Sequence, residues 1–263
     1  MRAVGIILAG GNNNRMKELT HKRAVAAMPI AGSYRSIDFA LSNMTNSHIQ
    51  KVAVLTQYNA RSLNEHLNSS KWWNFGRKQG GLYVFTPTIT NDNGYWYRGT
   101  ADAIYQNMDF LKKSHEPYVV IASGDAVYKM DYGKVLQYHI DKKVDVTVVC
   151  KEMDPSDDVS RFGTIRMDDD MRITEFEEKP MVTKSNMIST GIYVIRRRLL
   201  IDLIEHAAEE ERFDFVNDVL IRYKNLKKIY GYKIDHYWSN IATVDAYYKT
   251  NMDFLKPEVR NYF

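Results

Sequence analysis

The segment Val4-Gly5-Ile6-Ile7-Leu8-Ala9-Gly10-Gly11-Asn12-Asn13-Asn14-Arg15-Met16 constrains the fold more than any other stretch of the chain. Its short apolar run predicts a buried strand, and the glycines, asparagines and arginine behind it predict a loop that turns sharply. Glycine takes positive φ without steric cost, and asparagine tolerates it better than most residues. Such a loop can aim several backbone N–H groups at one point, a concavity suited to a phosphate. Arg15 adds charge and a planar fork of donors. No Gly-Lys-Ser/Thr follows and Gly-x-Gly-x-x-Gly is absent, so neither the P-loop nor the dinucleotide fingerprint is present. By itself the pattern fits an ordinary βα turn equally well.

The rest of the chain continues the alternation. Strands are predicted at Ala3–Leu8, Lys51–Thr56, Tyr118–Ala122 and Val144–Cys150, and helices around Ser36–Ser47, Arg61–Asn68, Gly99–Lys113 and Gly133–Lys142. This βαβα order argues for a mostly parallel sheet covered on both faces. Beyond Cys150 the rhythm changes. Gly163–Met167 and Arg172–Glu178 flank Asp168-Asp169-Asp170, which reads as a hairpin around an acidic turn. A metal-binding aspartate cluster is the alternative, weakened because turn tips collect Asp for local hydrogen bonds. Ile188–Ile195 and Ile229–Ile234 are further strands; Arg197–Ala208, Phe213–Tyr223 and Thr243–Phe254 are helices, the last with Thr243 as N-cap.

Length and composition bound the class. A chain of 263 residues suits one large α/β domain or two small ones, and 44% hydrophobic residues support a packed core. No run approaches the roughly 20 apolar residues of a membrane span. The N-terminus lacks the layout of a signal peptide, which predicts a cytoplasmic protein without membrane association. The single cysteine, Cys150, ends an apolar run and reads as a small buried hydrophobe. A net charge of +4 is mild and dispersed, compatible with anionic ligands and unlike a nucleic-acid footprint. The 18 tyrosines suggest surface that a partner subunit covers.

Ligands of open α/β sheets bind beyond the carboxyl ends of the strands, where several polar clusters fall. Trp96–Ala103 is a loop entering a helix, with small residues that let a flat ring approach the backbone. Ser123-Gly124-Asp125 releases a carboxylate from a strand end; it could ligate a hard cation between phosphates or merely serve a turn. Glu177-Glu178-Lys179-Pro180 is either a ligand grip or a solvated charge pair, and Tyr237–Thr243 precedes the last helix.

Taken together, these residues carry a resemblance. Gly10-Gly11 with Arg15, Leu19-Thr20, Arg23-Ala24 and Tyr34–Asn43 (YRSIDFALSN) resemble the opening of sugar-phosphate nucleotidylyltransferases, in the glucose-1-phosphate adenylyltransferase (ADP-glucose pyrophosphorylase) branch. Trp96–Asn107 (WYRGTADAIYQN), Gly124-Asp125 with Tyr128–Tyr132, Phe176–Pro180, Ser189–Val194 and Tyr237–Asp253 continue it in order, over essentially the whole chain. The resemblance implies a three-layer, Rossmann-like α/β nucleotidyltransferase domain over residues 1–263, with a mixed, mostly parallel central sheet. It implies ATP, glucose 1-phosphate or related sugar phosphates, and Mg²⁺ as ligands. Leu8, Gly10, Gly11, Tyr97, Gly99, Thr100, Ala101 and Gly124 would border the nucleotide. Arg15 and Asp125 would be catalytic, Asp125 and Asn240 would hold the metal, and Glu178, Lys179 and Ser189 would hold the sugar phosphate. Relatives of this type usually continue into a left-handed β-helix domain, which is absent here.

Three positions depart from the family pattern. Asn13 stands where glycine is usual, Val25 where an Arg-Ala-Lys-Pro run carries a lysine, and Asn240 where a second metal-binding aspartate is usual. Each lost electrostatic contact of this kind costs about 10²–10³ in rate. The pattern resembles the D-type regulatory subunit of the bacterial enzyme, which assembles with a catalytic C-type subunit in glycogen synthesis. A fully active adenylyltransferase, or another nucleoside-diphosphate-sugar pyrophosphorylase, is the alternative. If missing charge limits activity, lysine at 25 and aspartate at 240 should restore rate together; if Asn13 obstructs the triphosphate, they should not.

Overall fold

A computed structural model describes residues 2–11, 14–68, 73, 75, 80–89, 94 and 96–263. Asn13 lies outside the described residues. In chain order the elements are β1 (Ala3–Ala9), β2 (Pro29–Ile30), β3 (Tyr34–Arg35), α1 (Ser36–Asn46), β4 (Lys51–Thr56), α2 (Arg61–Leu67) and β5 (Gly81–Phe85). There follow α3 (Thr100–Gln106), α4 (Met108–Lys112), β6 (Tyr118–Ser123), β7 (Ala126–Tyr128), α5 (Tyr132–Asp141), β8 (Val146–Glu152), β9 (Gly163–Met167) and β10 (Ile173–Glu178). The chain continues with β11 (Met187–Arg196), α6 (Arg197–Glu209), a π-helix (Phe215–Ile221), β12 (Ile229–Ile234), β13 (Trp238–Asn240), α7 (Val244–Asp253) and α8 (Pro257–Tyr262). Parallel and antiparallel pairings coexist, giving the mixed central sheet of the expected α/β class. The chain divides into two compact units.

One unit comprises Val4–Trp96, Ala122–Tyr132 and His236–Phe263. In it β1, β4 and β5 run parallel, Ala9 opposite Thr56 and Leu55 opposite Phe85. Strands β1 and β4 are apolar almost throughout and nearly all buried, as a parallel sheet covered on both faces requires. At Gly5 a Cβ would come within 2.8 Å of Met44 Sδ, so the glycine lets α1 pack close on β1. Helix α1 begins where the Asp38 carboxylate accepts the Arg35 N–H at 2.8 Å, and it buries Ile37, Ala40, Leu41 and Met44. Strand β13 pairs antiparallel with β7, and Thr243 caps α7 as expected, its hydroxyl accepting the Ala246 N–H at 3.2 Å.

The other unit comprises Met1–Ala3, Tyr97–Ile121 and Gly133–Asp235. Here β11 pairs antiparallel with β6 and β8, β12 runs parallel to β8, and β9–β10 form the predicted hairpin. At the acidic turn, Asp168 Oδ1 accepts the N–H groups of Asp170 and Arg172 at 3.0 and 2.9 Å. Local hydrogen bonding therefore accounts for that aspartate, and among the described residues no three Asp, Glu, His or Cys side chains form a metal-holding group. Cys150 is buried and its thiol is pushed up to about 12 by burial, in keeping with an inert hydrophobe. The helix expected over Gly99–Lys113 is instead α3 and α4, broken at Asn107. The Asn107 amide donates to Ala103 O at 2.8 Å and to the Tyr97 hydroxyl at 2.9 Å, competing with the helical ladder. The helix expected over Phe213–Tyr223 is the π-helix, capped by Asp214, which accepts the Asn217 N–H at 2.7 Å. Among the described residues no helix is long and apolar enough to cross a membrane.

His139 is the buried titratable group of this unit with a clear consequence. It is 1% exposed, its Nδ1 lies 2.9 Å from the Thr147 hydroxyl, and its Nε2 has no partner. Burial first, then the nearby Arg196, lower its pKa from 6.5 to about 4, against a smaller opposing pull from Asp145. The unfolded chain takes up a proton from pH 6.5 downward and the folded chain resists until about 4. Stability is therefore constant above this window and falls within it on acidification, by about 3 kcal/mol at most. Denaturant unfolding at pH 7 and 4.5 should show His139→Gln losing less stability between the two than the parent chain.

Candidate functional site

The first cluster of expected residues belongs to the unit carrying β1. Leu8 is the half-buried residue of that strand, and its carbonyl accepts the Gly124 N–H at 3.0 Å. A Cβ on Gly10 would lie 3.2 Å from Gln57 Cβ, so this glycine allows the loop to pass close to the end of β4. Gly11 faces open space, and neither glycine adopts positive φ. Asn12 and Asn13 lie outside the described residues; among those described in this segment, the unusual backbone is at Lys17, with φ 49° and ψ −132°. Arg15 is exposed in the 3₁₀ segment Asn14–Thr20.

Asp125 sits on a turn fixed from several sides. The Ser36 hydroxyl, fully buried, donates to Gly124 O at 2.9 Å, and Ile241 N–H donates to Asp125 O at 2.9 Å. A Cβ on Gly124 would approach Ala26 Cβ to 3.2 Å and Ala9 Cβ to 3.4 Å, which glycine avoids. The Ser123 hydroxyl donates to Asp125 Oδ1 at 2.5 Å and so orients the half-buried carboxylate. Asn240 stands opposite Ala126 in the β7–β13 pair, next to Asp125, and its Oδ1 accepts the Ala242 N–H at 3.0 Å. The structure thus brings Leu8, Gly10, Gly124, Asp125 and Asn240 together at the carboxyl end of β1.

Val25 lies at the same place and is not open to a ligand. It is buried in an apolar cluster with Met16, Met28, Ile30, Val127 and Ile241. Ser36 and Ser123 fall inside the motifs Tyr34–Asn43 and Ser123-Gly124-Asp125 and act through Gly124 and Asp125, but sequence reasoning gave neither a role. It also missed Tyr58, which stacks on Trp96 at 5.5 Å between ring centroids. Both rings are exposed, and Tyr58 follows Gln57, the neighbour of Gly10, so a planar group has an aromatic face available there.

The second cluster belongs to the other unit. A Cβ on Gly99 would lie 2.4 Å from Phe213 O, a backbone atom that cannot move aside cheaply. Ala101 N–H donates to that carbonyl at 2.8 Å, and the Thr100 hydroxyl accepts the Phe215 N–H at 2.9 Å. Arg98 lies over the Phe213 ring at 3.8 Å and pairs with buried Asp102. Packing against Phe213–Phe215 is therefore reason enough for small residues at Gly99–Ala101. Tyr97 is buried, which raises the pKa of its hydroxyl.

Glu178 ends β10 and pairs with Lys179 at 3.1 Å. Burial, the largest cause, raises the Glu178 pKa; Lys179 opposes this and Asp214 adds to it. Lys179 adopts φ 46°, its N–H donates to Phe162 O at 3.1 Å, and its side chain is 60% exposed. The Ser189 hydroxyl lies 3.2 Å from the buried Tyr193 hydroxyl, across a bulge of β11 where Gly191 takes φ 75°. Burial raises the Tyr193 pKa as well, with Glu178 and Asp214 as neighbouring negative charges. Glu178 thus stands with one further carboxylate (Asp214), two hydroxyls (Ser189 and Tyr193) and the Lys179 ammonium, a set that can bind ligand hydroxyls and a phosphate. Asp214 and Tyr193 were missed; their signals, an N-cap and a strand residue four from Ser189, look merely structural.

A family profile described as nucleotidyl transferase matches residues 4–257. The chain is 40% identical over 256 residues to a glucose-1-phosphate adenylyltransferase of Thermosipho melanesiensis, covering 97% of this chain and 62% of that protein. It is 42% identical over 255 residues to a protein of the same name from Clostridium novyi, covering 96% and 66%. A Bacillus cereus Q1 protein of that name is 41% identical over 260 residues, covering 98% and 69%.

The Ser36–Gly124 contact can be tested alone. Ser36→Ala leaves a buried carbonyl without its donor, which should cost about 1–3 kcal/mol of stability. The measurement is the shift of the denaturant midpoint, and an unchanged midpoint would show that the hydroxyl is dispensable.

Proposed function

Because this chain belongs to the nucleotidyl transferase family, we propose that it is a subunit of a glucose-1-phosphate adenylyltransferase that binds its substrates yet turns them over weakly. In the reaction a phosphate oxygen of glucose 1-phosphate attacks the α-phosphorus of ATP and pyrophosphate leaves. Positioning and charge neutralisation carry most of such catalysis. Arg15 and the Gly10-Gly11 loop would hold the triphosphate, and Glu178, Lys179 and Ser189 the sugar phosphate. Asp125 and Asn240 fit Mg²⁺ as one carboxylate and one amide oxygen, each keeping a lone pair beside its existing hydrogen bond. Substrate phosphates would complete such a shell, and the ion would offset their charge.

The observation that carries the regulatory reading is Val25. Apolar packing fills the place where the resemblance implies a lysine, so the cation beside the phosphates is replaced by a closed cluster. Asn240 removes one negative ligand from the metal as well. A cytoplasmic role beside a catalytic C-type subunit, in glycogen synthesis, follows from this reading. The competing reading, a fully active enzyme, is favoured by the Asp125, Glu178, Lys179 and Ser189 side chains, all present.

ADP-glucose formation by the isolated chain should be weak and should rise with Asn240→Asp. Val25→Lys places an ammonium in the cluster and should lower stability by about 2–4 kcal/mol. Its rate gain should therefore appear mainly in the double variant, beyond the product of the single effects. Ordinary turnover by the parent chain would refute the regulatory reading. Calorimetry with glucose 1-phosphate should give binding that Lys179→Ala weakens about tenfold or more, as loss of a charged contact does.

A further inference from the structure

The unit that carries β1 has a second concavity, of about 790 Å³, between α1, the Ala31–Tyr34 turn, the end of α7 and α8. None of the residues assigned above to nucleotide, metal or sugar phosphate lines it. Its size falls in the range of small-molecule sites. Helix α1 contributes Asp38, Ser42 and Asn46, spaced four apart and hence in one row along the helix. Beside that row stands an apolar wall, in which the rings of Phe39, Phe254 and Phe263 pack on one another at 5.1–6.0 Å.

The polar groups are poised and largely unused. Among the described residues, the side chains of Ser42, Asn46 and Arg260 make no hydrogen bond or ion pair. The Asp38 carboxylate is held by the Arg35 N–H at 2.8 Å and His66 Nε2 at 2.6 Å, one on each oxygen, and each oxygen keeps a lone pair. Lys129 is already engaged, donating to Tyr262 O at 2.9 Å. The charges on the lining are one anion, Asp38, and two cations, Arg260 and Lys129, the latter held by its carbonyl contact. A polyanion would meet Asp38 and an amine would meet Arg260. Hydroxyl groups, which both donate and accept, can satisfy a carboxylate, a guanidinium, an amide and a serine alike. A pyranose ring offers such hydroxyls on its edge and a C–H face for an aromatic wall.

We propose that this concavity binds a neutral, hydroxyl-rich ring, a hexose or a short chain of hexoses, apart from the phosphate-binding residues. The test uses the intact chain with glucose and with maltotriose, read by saturation-transfer NMR and by calorimetry. Stronger binding of maltotriose would mark a chain end as the ligand, and equal binding a free hexose. Ser42 and Asn46 are exposed, so Ser42→Trp fills the cavity and Asn46→Ala removes an amide with little effect on folding, which a melting curve checks. Affinity should fall about tenfold or more in Ser42→Trp and about threefold or more in Asn46→Ala, the scale of one lost polar contact. It should be unchanged in Lys179→Ala. No binding by the parent chain, or binding that survives both α1 substitutions, overturns the proposal. Loss in Lys179→Ala with none in Ser42→Trp also overturns it, by placing the sugar at Glu178–Lys179. So does a change of sedimentation in Ser42→Trp without loss of sugar binding, which marks a protein contact surface.

Discussion

The close approach of the Gly124–Asp125 turn to the end of β1 is the constraint on which the rest of its unit depends. Gly124 gives its N–H to Leu8 and takes the Ser36 hydroxyl on its carbonyl, while its missing Cβ leaves room for Ala9 and Ala26. One glycine therefore ties a strand end, the first residue of a helix and the Val25–Ala27 turn. Asp125 is the next residue, so its carboxylate inherits the position. Ser123 fixes the carboxylate's orientation and Ile241 its carbonyl. A buried polar network of this sort is stable only when every member has a partner, because the low dielectric that strengthens each bond also raises the cost of losing one.

The second unit solves a related problem with charge. Glu178 is held in a protein environment that favours its neutral form, next to a lysine that favours the ionised one. Lys179 takes a left-handed backbone while its peptide N–H stays bonded to Phe162 and its ammonium pairs with Glu178. The two effects oppose each other, so the arrangement is sensitive to any anion that approaches. A phosphate near Lys179 would weaken the partner that keeps Glu178 ionised, and ligand hydroxyls near Glu178 would restore hydrogen bonds that burial removed. Tyr193 and Asp214 extend the same logic, since burial raises the tyrosine pKa and keeps its hydroxyl protonated as a donor.

Much of this was legible in the sequence, for reasons that differ by element. Strands β1, β4 and β12 were legible because their apolar runs are continuous and bounded by turn residues, and α7 because Thr243 is a cap with one clear function. Strands β2, β3, β7 and β13 have two or three residues each, too few to show a period; β2 and β3 pair locally, while β7 and β13 exist because each has a partner distant in sequence. The break at Asn107 depends on the Tyr97 hydroxyl, a contact outside the local window. Among the site residues, those with unusual local chemistry could be read directly: the double glycine, the strand-end aspartate and the Glu-Lys pair. Ser36, Ser123, Tyr193 and Asp214 could not, because each has an ordinary structural role in its own neighbourhood. The glycines at 10 and 99 were read for conformation and ligand access. Their neighbours, Gln57 and the Phe213 carbonyl, show that sheet and loop packing already requires them.

Val25 shows why a departure from a family pattern is more than an exchange of one side chain. A lysine at this position would need water, a phosphate or a carboxylate for its ammonium, yet Val25 belongs to a buried apolar cluster with Met16, Met28, Ile30, Val127 and Ile241. Those residues come from four separated parts of the chain, and they close the space together. Ile241 also follows Asn240 directly, so the position where the resemblance implies a cation and the position where it implies an anionic ligand adjoin one another. Removing both leaves that neighbourhood closer to neutral than removing either would. An unpaired charge placed in such a buried apolar cluster costs several kcal/mol.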